Sequence, residues 1–362
     1  MYMTENNVQT FGFLIHPISA KKDISRKFPI AKIFPERCLE SVLKHISPMY
    51  ISNIEGITSI TGEKAEGYFI GCPLVPRQFL ELPDRFVMDK IIASVNMAAE
   101  HGAKIVGLGA YTSVAGDGGV TIDKETDVAI TTGNSYTCYS AVQGSTQAAE
   151  LLGVPIQNAR VAIIGATGSI GRVAAHLIAS DGVGELTLIG RNEERLSLVA
   201  DEVKGDIKAK ISTDIDDVLP AMDIVITVTS SVDAVIEPRH LKRGAIVCDV
   251  SRPRDVSVKV AKERDDVLVI EGGVISVPGD VDFHFNFGFP PKTSYACMAE
   301  TMILALENRY ESYSLGKELS LEKVREIGKL ANKHGFKLSG FRSFEKAVQL
   351  TDIDRIREKL KS

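Results

Sequence analysis

Two short patterns in this chain hold residue types suited to chemistry. The first is Gly165-Ala166-Thr167-Gly168-Ser169-Ile170-Gly171, directly after the apolar run Val161-Ala-Ile-Ile164. Gly165 permits a tight turn out of a strand, Gly168 lets the backbone approach a pyrophosphate, and Gly171 lets a helix pack on the sheet. The amides at that helix start face phosphate, and the helix dipole favours its charge. The spacing is GxxGxxG, and its setting between strand and helix is the one that dinucleotide binding requires. The other reading is a glycine turn in a sheet domain without a ligand. The next strand ends in Gly190-Arg191-Asn192. An NAD site usually has Asp or Glu here, whereas a guanidinium matches a phosphate, so NADPH is favoured over NADH. Otherwise Arg191 is a solvated surface charge, or stacks on adenine without reading the phosphate. Thr229, Ser230, Gly272 and Gly273 follow later strands, where loops at strand carboxyl ends meet the ligand.

The second pattern is Cys297, after Phe289-Pro-Pro-Lys-Thr-Ser294. The prolines stop any earlier helix. With Ser294 as cap, Cys297 falls in the first turn of a new helix. Thiolate is favoured at helix N-termini, and Lys292 is near in sequence. A thiolate there can attack a carbonyl carbon. The alternative is a small residue packing a helix start. Among the other cysteines, Cys248 lies inside an apolar strand, Cys138 is on a helix, and Cys38 and Cys72 have no chemical context. The turn Thr131-Thr132-Gly133-Asn134 offers Thr132 and Asn134 as substrate residues, Asn134 also as an oxyanion donor. His284 and Tyr295 are candidate proton donors, while His16 and His101 read equally well as structural. No clustered His, Asp or Glu set argues for a metal.

These residues need elements to hold them. Strands at Val161–Ile164, Glu185–Gly190, Lys208–Ile211, Asp223–Thr227, Ala245–Asp249 and Val267–Ile270, alternating with helices, predict a doubly wound parallel sheet of Rossmann type. Before it, strands at Phe11–Ile15 and Lys104–Leu108 with helices over 84–102 and 135–152 predict an α/β substrate domain. After it, 294–306 and 320–334 read as helices, the latter capped by Ser320 and stopped by Gly335. The expected division is 1–154, 155–290 and 291–362.

With 362 residues, 44% hydrophobic and 25% charged, the chain has the composition of a globular protein of two or three domains. The net charge of -5 makes nucleic acid a poor first guess. No apolar stretch is long enough to span a bilayer, and the start does not read as a secretory signal, so a cytoplasmic protein is expected.

The chain resembles the aldehyde-forming long-chain acyl-[acyl carrier protein] reductases of cyanobacterial alkane biosynthesis. The likeness runs from Phe11 to about Gly335. It rests on Ala99-Glu-His-Gly102, Leu108-Gly-Ala-Tyr-Thr-Ser113, Thr131-Thr-Gly-Asn134, the run Val161–Gly171, Gly190-Arg-Asn192, Gly272-Gly-Val274 and Tyr295-Ala-Cys-Met-Ala-Glu300. It implies that Cys297 accepts an acyl group as a thioester, which NADPH reduces to a fatty aldehyde. The donor would be an acyl carrier protein or coenzyme A thioester, with a further enzyme consuming the aldehyde. The amino terminus, Pro278–Pro291 and the chain beyond Gly335 differ from the family. Phe283, Phe285, Phe287 and Phe289 alternate there and either line an acyl site or pack a core. The basic run Lys21–Lys27 is a candidate dock for an acidic carrier. Val247-Cys-Asp-Val-Ser-Arg-Pro-Arg254 is similar to glutamyl-tRNA reductases, which also reduce an acyl-cysteine. Two other functions fit the pattern: an NADP-dependent amino-acid or shikimate-type dehydrogenase, and a protein that binds NADPH without turnover.

Overall fold

The computed structural model describes residues 8–27, 29–231, 233–251 and 253–361. The chain forms two compact units, each discontinuous in sequence. The first comprises 1–133, 276–317 and 329–337, and the second 134–275, 318–328 and 338–362. These borders differ from the expected ones because the helix Asn134–Leu152 packs on the helix Ser169–Ser180 and so belongs with the second sheet. The terminal region is divided between the two units.

The second unit holds strands β6 (Arg160–Ile164), β7 (Glu185–Ile189), β8 (Lys210–Ser212), β9 (Ile224–Thr227), β10 (Ile246–Asp249) and β11 (Leu268–Glu271). All pair in parallel, in the order β11-β10-β9-β6-β7-β8. With β6 taken as strand one, this is the 3-2-1-4-5-6 order of the Rossmann fold. Alternate residues cover the two faces. Val161, Ile163, Ile226 and Ile246 belong to the core that includes Ala141 and Ile178 from those two helices. Ala162, Ile164, Val225 and Val247 belong to the core of the opposite face. Burial on both sides explains why these strands read as continuous apolar runs.

The first unit is built on β1 (Gln9–Ile15), β2 (Met49–Thr58), β3 (Lys64–Gly71), β4 (Ile105–Leu108), β5 (Ala129–Thr131) and a later strand, Gly279–Asp282, in a mixed sheet. The strands β3, β1, β4 and β5 run parallel, and β2 turns back as an antiparallel hairpin with β3. That hairpin was not legible in the sequence. Its register shifts between Tyr50 and Ser52 and again between Ile54 and Ile57. Each shift breaks the alternation by which a half-buried strand is recognised.

One face of this sheet packs on the helix Asp84–Glu100 through Leu14, Val106, Ile91 and Val95. The helix begins at Asp84 as expected, but Asp84 is its first residue, after Pro83. The helix Ala296–Leu306 contacts β1, β3 and β4. The helix Leu321–His334 has Ser320 Oγ accepting from the Lys323 amide at 3.4 Å and ends at Gly335, where φ is +89°. Among the described residues, no helix is long and apolar enough to cross a membrane.

Ile226 is fully buried in the second sheet, whereas Leu198 is 63% exposed. Ile226→Ala is expected to cost about 2–5 kcal/mol in chemical unfolding. Leu198→Ala should stay within about 0.5 kcal/mol of the parent.

Candidate active site

In the first unit the thiol is set by a close approach of two backbones. Gly133 has a φ of +74°, and a Cβ added to it would lie 2.3 Å from both the Cα and the Cβ of Cys297. No side chain fits there, so the third residue of the Thr131–Asn134 turn must be glycine. The sequence patterns around 133 and 297, 164 residues apart, thus meet. The helix carrying the thiol is Ala296–Leu306, with Tyr295 as N-cap, so Cys297 is its second residue. Ser294, expected as the cap, is buried one residue outside, its hydroxyl bonded to the Tyr295 carbonyl at 3.3 Å. The correction keeps Cys297 in the first turn, where the dipole favours negative charge.

The other cysteines differ. Cys72, Cys138 and Cys248 are buried, Cys38 is exposed, and Cys297 is partly exposed. Burial pushes the thiols of Cys72 and Cys138 up to about 12. Both are poor thiolates near neutral pH. Lys292, near Cys297 in sequence, is paired with Asp280 at 2.8 Å.

The turn and the helix are fastened by hydroxyls. The Gly133 amide donates to Thr131 Oγ1 at 3.2 Å, and Thr131 Oγ1 donates to Glu300 Oε1 at 2.5 Å. Ser314 Oγ donates to the same oxygen at 2.7 Å. Thr132 Oγ1 donates to the Ser314 carbonyl at 2.5 Å. Glu300 is fully buried and sits one helical turn beyond the thiol. It was not singled out from the sequence, although it is the one charged residue in the largely apolar helix Ala296–Leu306, which is a readable signal. Asn134 begins the helix Asn134–Leu152.

A string of rings leads to the same helix start. Phe69 on β3 contacts Phe283, Phe285 and Phe287 at centroid distances of 6.1, 6.0 and 5.9 Å. Phe287 meets Phe289 at 5.6 Å, and Phe289 meets Tyr295 at 4.3 Å. Phe283 is buried, Phe285, Phe287 and Phe289 are half-buried, and the residues between them are exposed. His284 is exposed beside Glu55 and Asp282. His16 is held by its Nδ1 contact with the Pro17 carbonyl at 3.1 Å and by the Tyr111 amide donating to Nε2 at 3.3 Å; burial lowers its pKa. His101 bonds the Met97 carbonyl at 2.8 Å and stacks on Tyr50. Both read as structural.

In the second unit Gly165, with φ +83°, bonds through its amide to the Ile189 carbonyl at 2.9 Å. A Cβ on Gly171 would lie 2.3 Å from the Gly165 carbonyl oxygen, so helix and turn touch there. Gly168 is the exposed N-cap of the helix Ser169–Ser180, flanked by Thr167, Ser169 and Ile170, while Ala166 is buried. This arrangement fits a pyrophosphate at the helix start. Arg191 is exposed, and among the described residues no carboxylate lies within ion-pair distance of it. The Asn192 side chain accepts from the Arg195 amide at 2.8 Å and so caps the helix Glu193–Glu202.

Buried carboxylates fix the ends of β9 and β10. Asp255 accepts from Thr229 Oγ1 at 2.6 Å, Ser251 Oγ at 2.5 Å and the Thr229 amide at 3.2 Å. Asp249 accepts from the Ser251 and Val256 amides, each at 3.0 Å. Ser251, within the Val247–Arg254 pattern, accepts from the Thr229 amide at 2.8 Å, so that pattern and the adjacent Asp255 together position Thr229, with exposed Ser230 next to it. Gly272 bonds the Asp249 carbonyl at 2.9 Å, and Gly273 has φ +69°.

The family model "Shikimate / quinate 5-dehydrogenase" matches residues 146–271. The chain is 31% identical to "Aminotransferase PigE" of Serratia sp. over 90% of its own length, but spans only 39% of that protein. It is 29% identical to the long-chain acyl-[acyl-carrier-protein] reductase of Synechococcus elongatus, over 90% of this chain and 98% of that one. A glutamyl-tRNA reductase of Thermosynechococcus vestitus is 26% identical over 48% of this chain and 42% of that protein.

In native protein, iodoacetamide is expected to modify Cys297 and Cys38 and to spare Cys72, Cys138 and Cys248, as read by peptide mapping. Labelling of Cys138 ahead of Cys297 would contradict the burial described. The chain thus carries an oxidoreductase-type Rossmann fold that binds NAD(P), with distant similarity to acyl-thioester and glutamyl-tRNA reductases.

Proposed function

We propose that the protein reduces a long-chain fatty acyl thioester to the aldehyde through an acyl-Cys297 intermediate, using NADPH. The observation that carries this reading is the partly exposed thiol at a helix start, locked against the Gly133 backbone. A polar substrate would gain little beside Phe285, Phe287 and Phe289, whereas an acyl chain gains by burial on such rings. The similarity to the Synechococcus reductase over nearly the full length of both chains supports the same substrate class. The acyl donor would be an acyl carrier protein or coenzyme A thioester. An aldehyde-consuming enzyme would follow.

The Cys297 thiolate attacks the thioester carbon, and the tetrahedral adduct collapses by expelling the donor thiol. The new thioester holds the acyl group on Cys297. NADPH, when bound, supplies the hydride that reduces this carbonyl. The resulting thiohemiacetal on Cys297 breaks its C–S bond to release aldehyde and restore the thiolate. Charge builds on the carbonyl oxygen in both steps and calls for a nearby donor. The Gly133 amide donates to Thr131, and Asn134 is the residue proposed for this role. Gly165, Gly168 and the amides of 169–171 would hold the pyrophosphate, with Thr229, Ser230, Gly272 and Gly273 lining the remainder. Arg191 would hold the 2′-phosphate.

The shikimate-type family match over 146–271 favours a second reading, an NADP-dependent dehydrogenase of a small substrate. Such an enzyme needs no cysteine. Cys297→Ala separates the two readings. On the reductase account it lowers thioester-dependent NADPH oxidation by about 10³-fold or more while leaving NADPH affinity intact. Absence of thioester-dependent oxidation in the parent, with turnover of a small substrate retained in that variant, would favour the dehydrogenase. Arg191→Ala should raise KM for NADPH about 10- to 100-fold, the worth of a charged hydrogen bond, and leave KM for NADH unchanged.

A further inference from the structure

Half of the large apolar side chains exposed among the described residues lie in one stretch. Eight of the sixteen fall between Ile18 and Tyr50. Ile18 is 81% exposed, Ile33 76%, Ile30 68% and Val42 61%, with Phe34 and Ile46 beside them in sequence. This stretch follows β1 and contains the helices Ala20–Lys27 and Glu36–Leu43 and the short turn of helix Pro29–Ile33. Its own core is small: Ala20, Leu43 and Val75, with Leu39 against them.

The charge there is opposite to that of the chain. Residues 18–46 contain seven basic and three acidic side chains, within a protein of net charge -5. The three acids are used by the fold. Asp23 accepts the Ile18 and Ser19 amides at 2.9 and 3.1 Å. Glu36 accepts Ser19 Oγ at 2.9 Å and the Lys21 amide at 3.2 Å, and Glu40 is paired with Arg77. Among the described residues, no acid lies within ion-pair distance of Lys21, Lys22, Lys32, Arg37 or Lys44. The side chains of Ile24, Arg26 and Lys27, part of the Lys21–Lys27 run, and Phe28 lie outside the described residues.

We propose that residues 18–27 and 29–46 form a docking surface for an anionic lipid bilayer. Isoleucine, valine and phenylalanine side chains among lysines match a peripheral membrane surface, where apolar groups enter the headgroup boundary and cations meet acidic lipids. Protein interfaces instead deplete lysine and favour Tyr, Trp, Met and Arg. The bilayer satisfies both the apolar and the cationic half of the patch.

Vesicle flotation without substrate or cofactor tests this separately from the reductase reading. Phosphatidylcholine vesicles containing phosphatidylglycerol should carry the protein, and phosphatidylcholine alone should carry much less. The variant Ile30→Ser/Ile33→Ser/Phe34→Ser, altered only at exposed positions and checked for an unchanged Tm, should lose more than about 100-fold in partitioning. Lys21→Gln/Lys22→Gln should lose about fivefold per charge, and high salt should reproduce that loss. Absence of the protein from anionic vesicles, or equal binding by the triple variant, overturns the proposal. So does capture by an acidic carrier protein, or a dimer broken by the triple variant, when vesicle binding is absent.

Discussion

The first unit depends on a steric constraint: at Gly133 the chain passes so close to the backbone of Cys297 that no Cβ can be accommodated. Everything else around the thiol follows from that approach. A turn so close to a helix start cannot drift without breaking contact, and its neighbours tie it down. Thr131 donates to Glu300 on the same helix, and Thr132 donates to the carbonyl of Ser314, whose hydroxyl returns to Glu300. Buried hydroxyls and a buried carboxylate are costly unless satisfied, so this network has one favourable arrangement. The result is a thiol held by main chain, the kind of support that keeps a side chain within a fraction of an ångström.

The second unit solves a different problem with the same means. Its sheet is apolar on both faces, and the loops at the strand carboxyl ends must be shaped by polar groups. Asp249 and Asp255 do this by collecting amides and hydroxyls from Thr229, Ser251 and Val256. The glycine turn completes the set with a backbone that leaves the start of the helix Ser169–Ser180 open to an anion. Arg191 stands exposed after β7, and among the described residues no acid lies at ion-pair distance from it.

Much of this was legible from residues alone. The buried parallel strands appear as apolar runs, and Gly102 and Gly335 mark helix ends where φ is positive. The placement of Cys297 in a first helical turn was also readable, though not its cap, because Ser294 and Tyr295 offer the sequence no way to tell which is last outside the helix. The β2–β3 hairpin was hidden by its register shifts. The contact between positions 133 and 297 is tertiary and leaves no local trace beyond a glycine in a turn. Glu300 carries a local signal as well, since a lone acid in a largely apolar helix marks a buried partner set rather than a surface charge. The alternation from Phe283 to Phe289 is readable in the sequence, but only the structure shows that Phe283, Phe285 and Phe287 share the Phe69 ring while Phe289 meets Phe287 and Tyr295.

The account stands on the formation of a covalent bond between an acyl group and one sulfur. Mass spectrometry of protein incubated with a long-chain acyl thioester in the absence of nicotinamide, followed by peptide mapping, measures this directly. The account predicts a gain of one acyl group, hydroxylamine-labile and confined to the peptide containing Cys297, that disappears when NADPH is added. Acylation of another residue, or aldehyde formed under conditions in which no acyl-protein can be trapped, would contradict it.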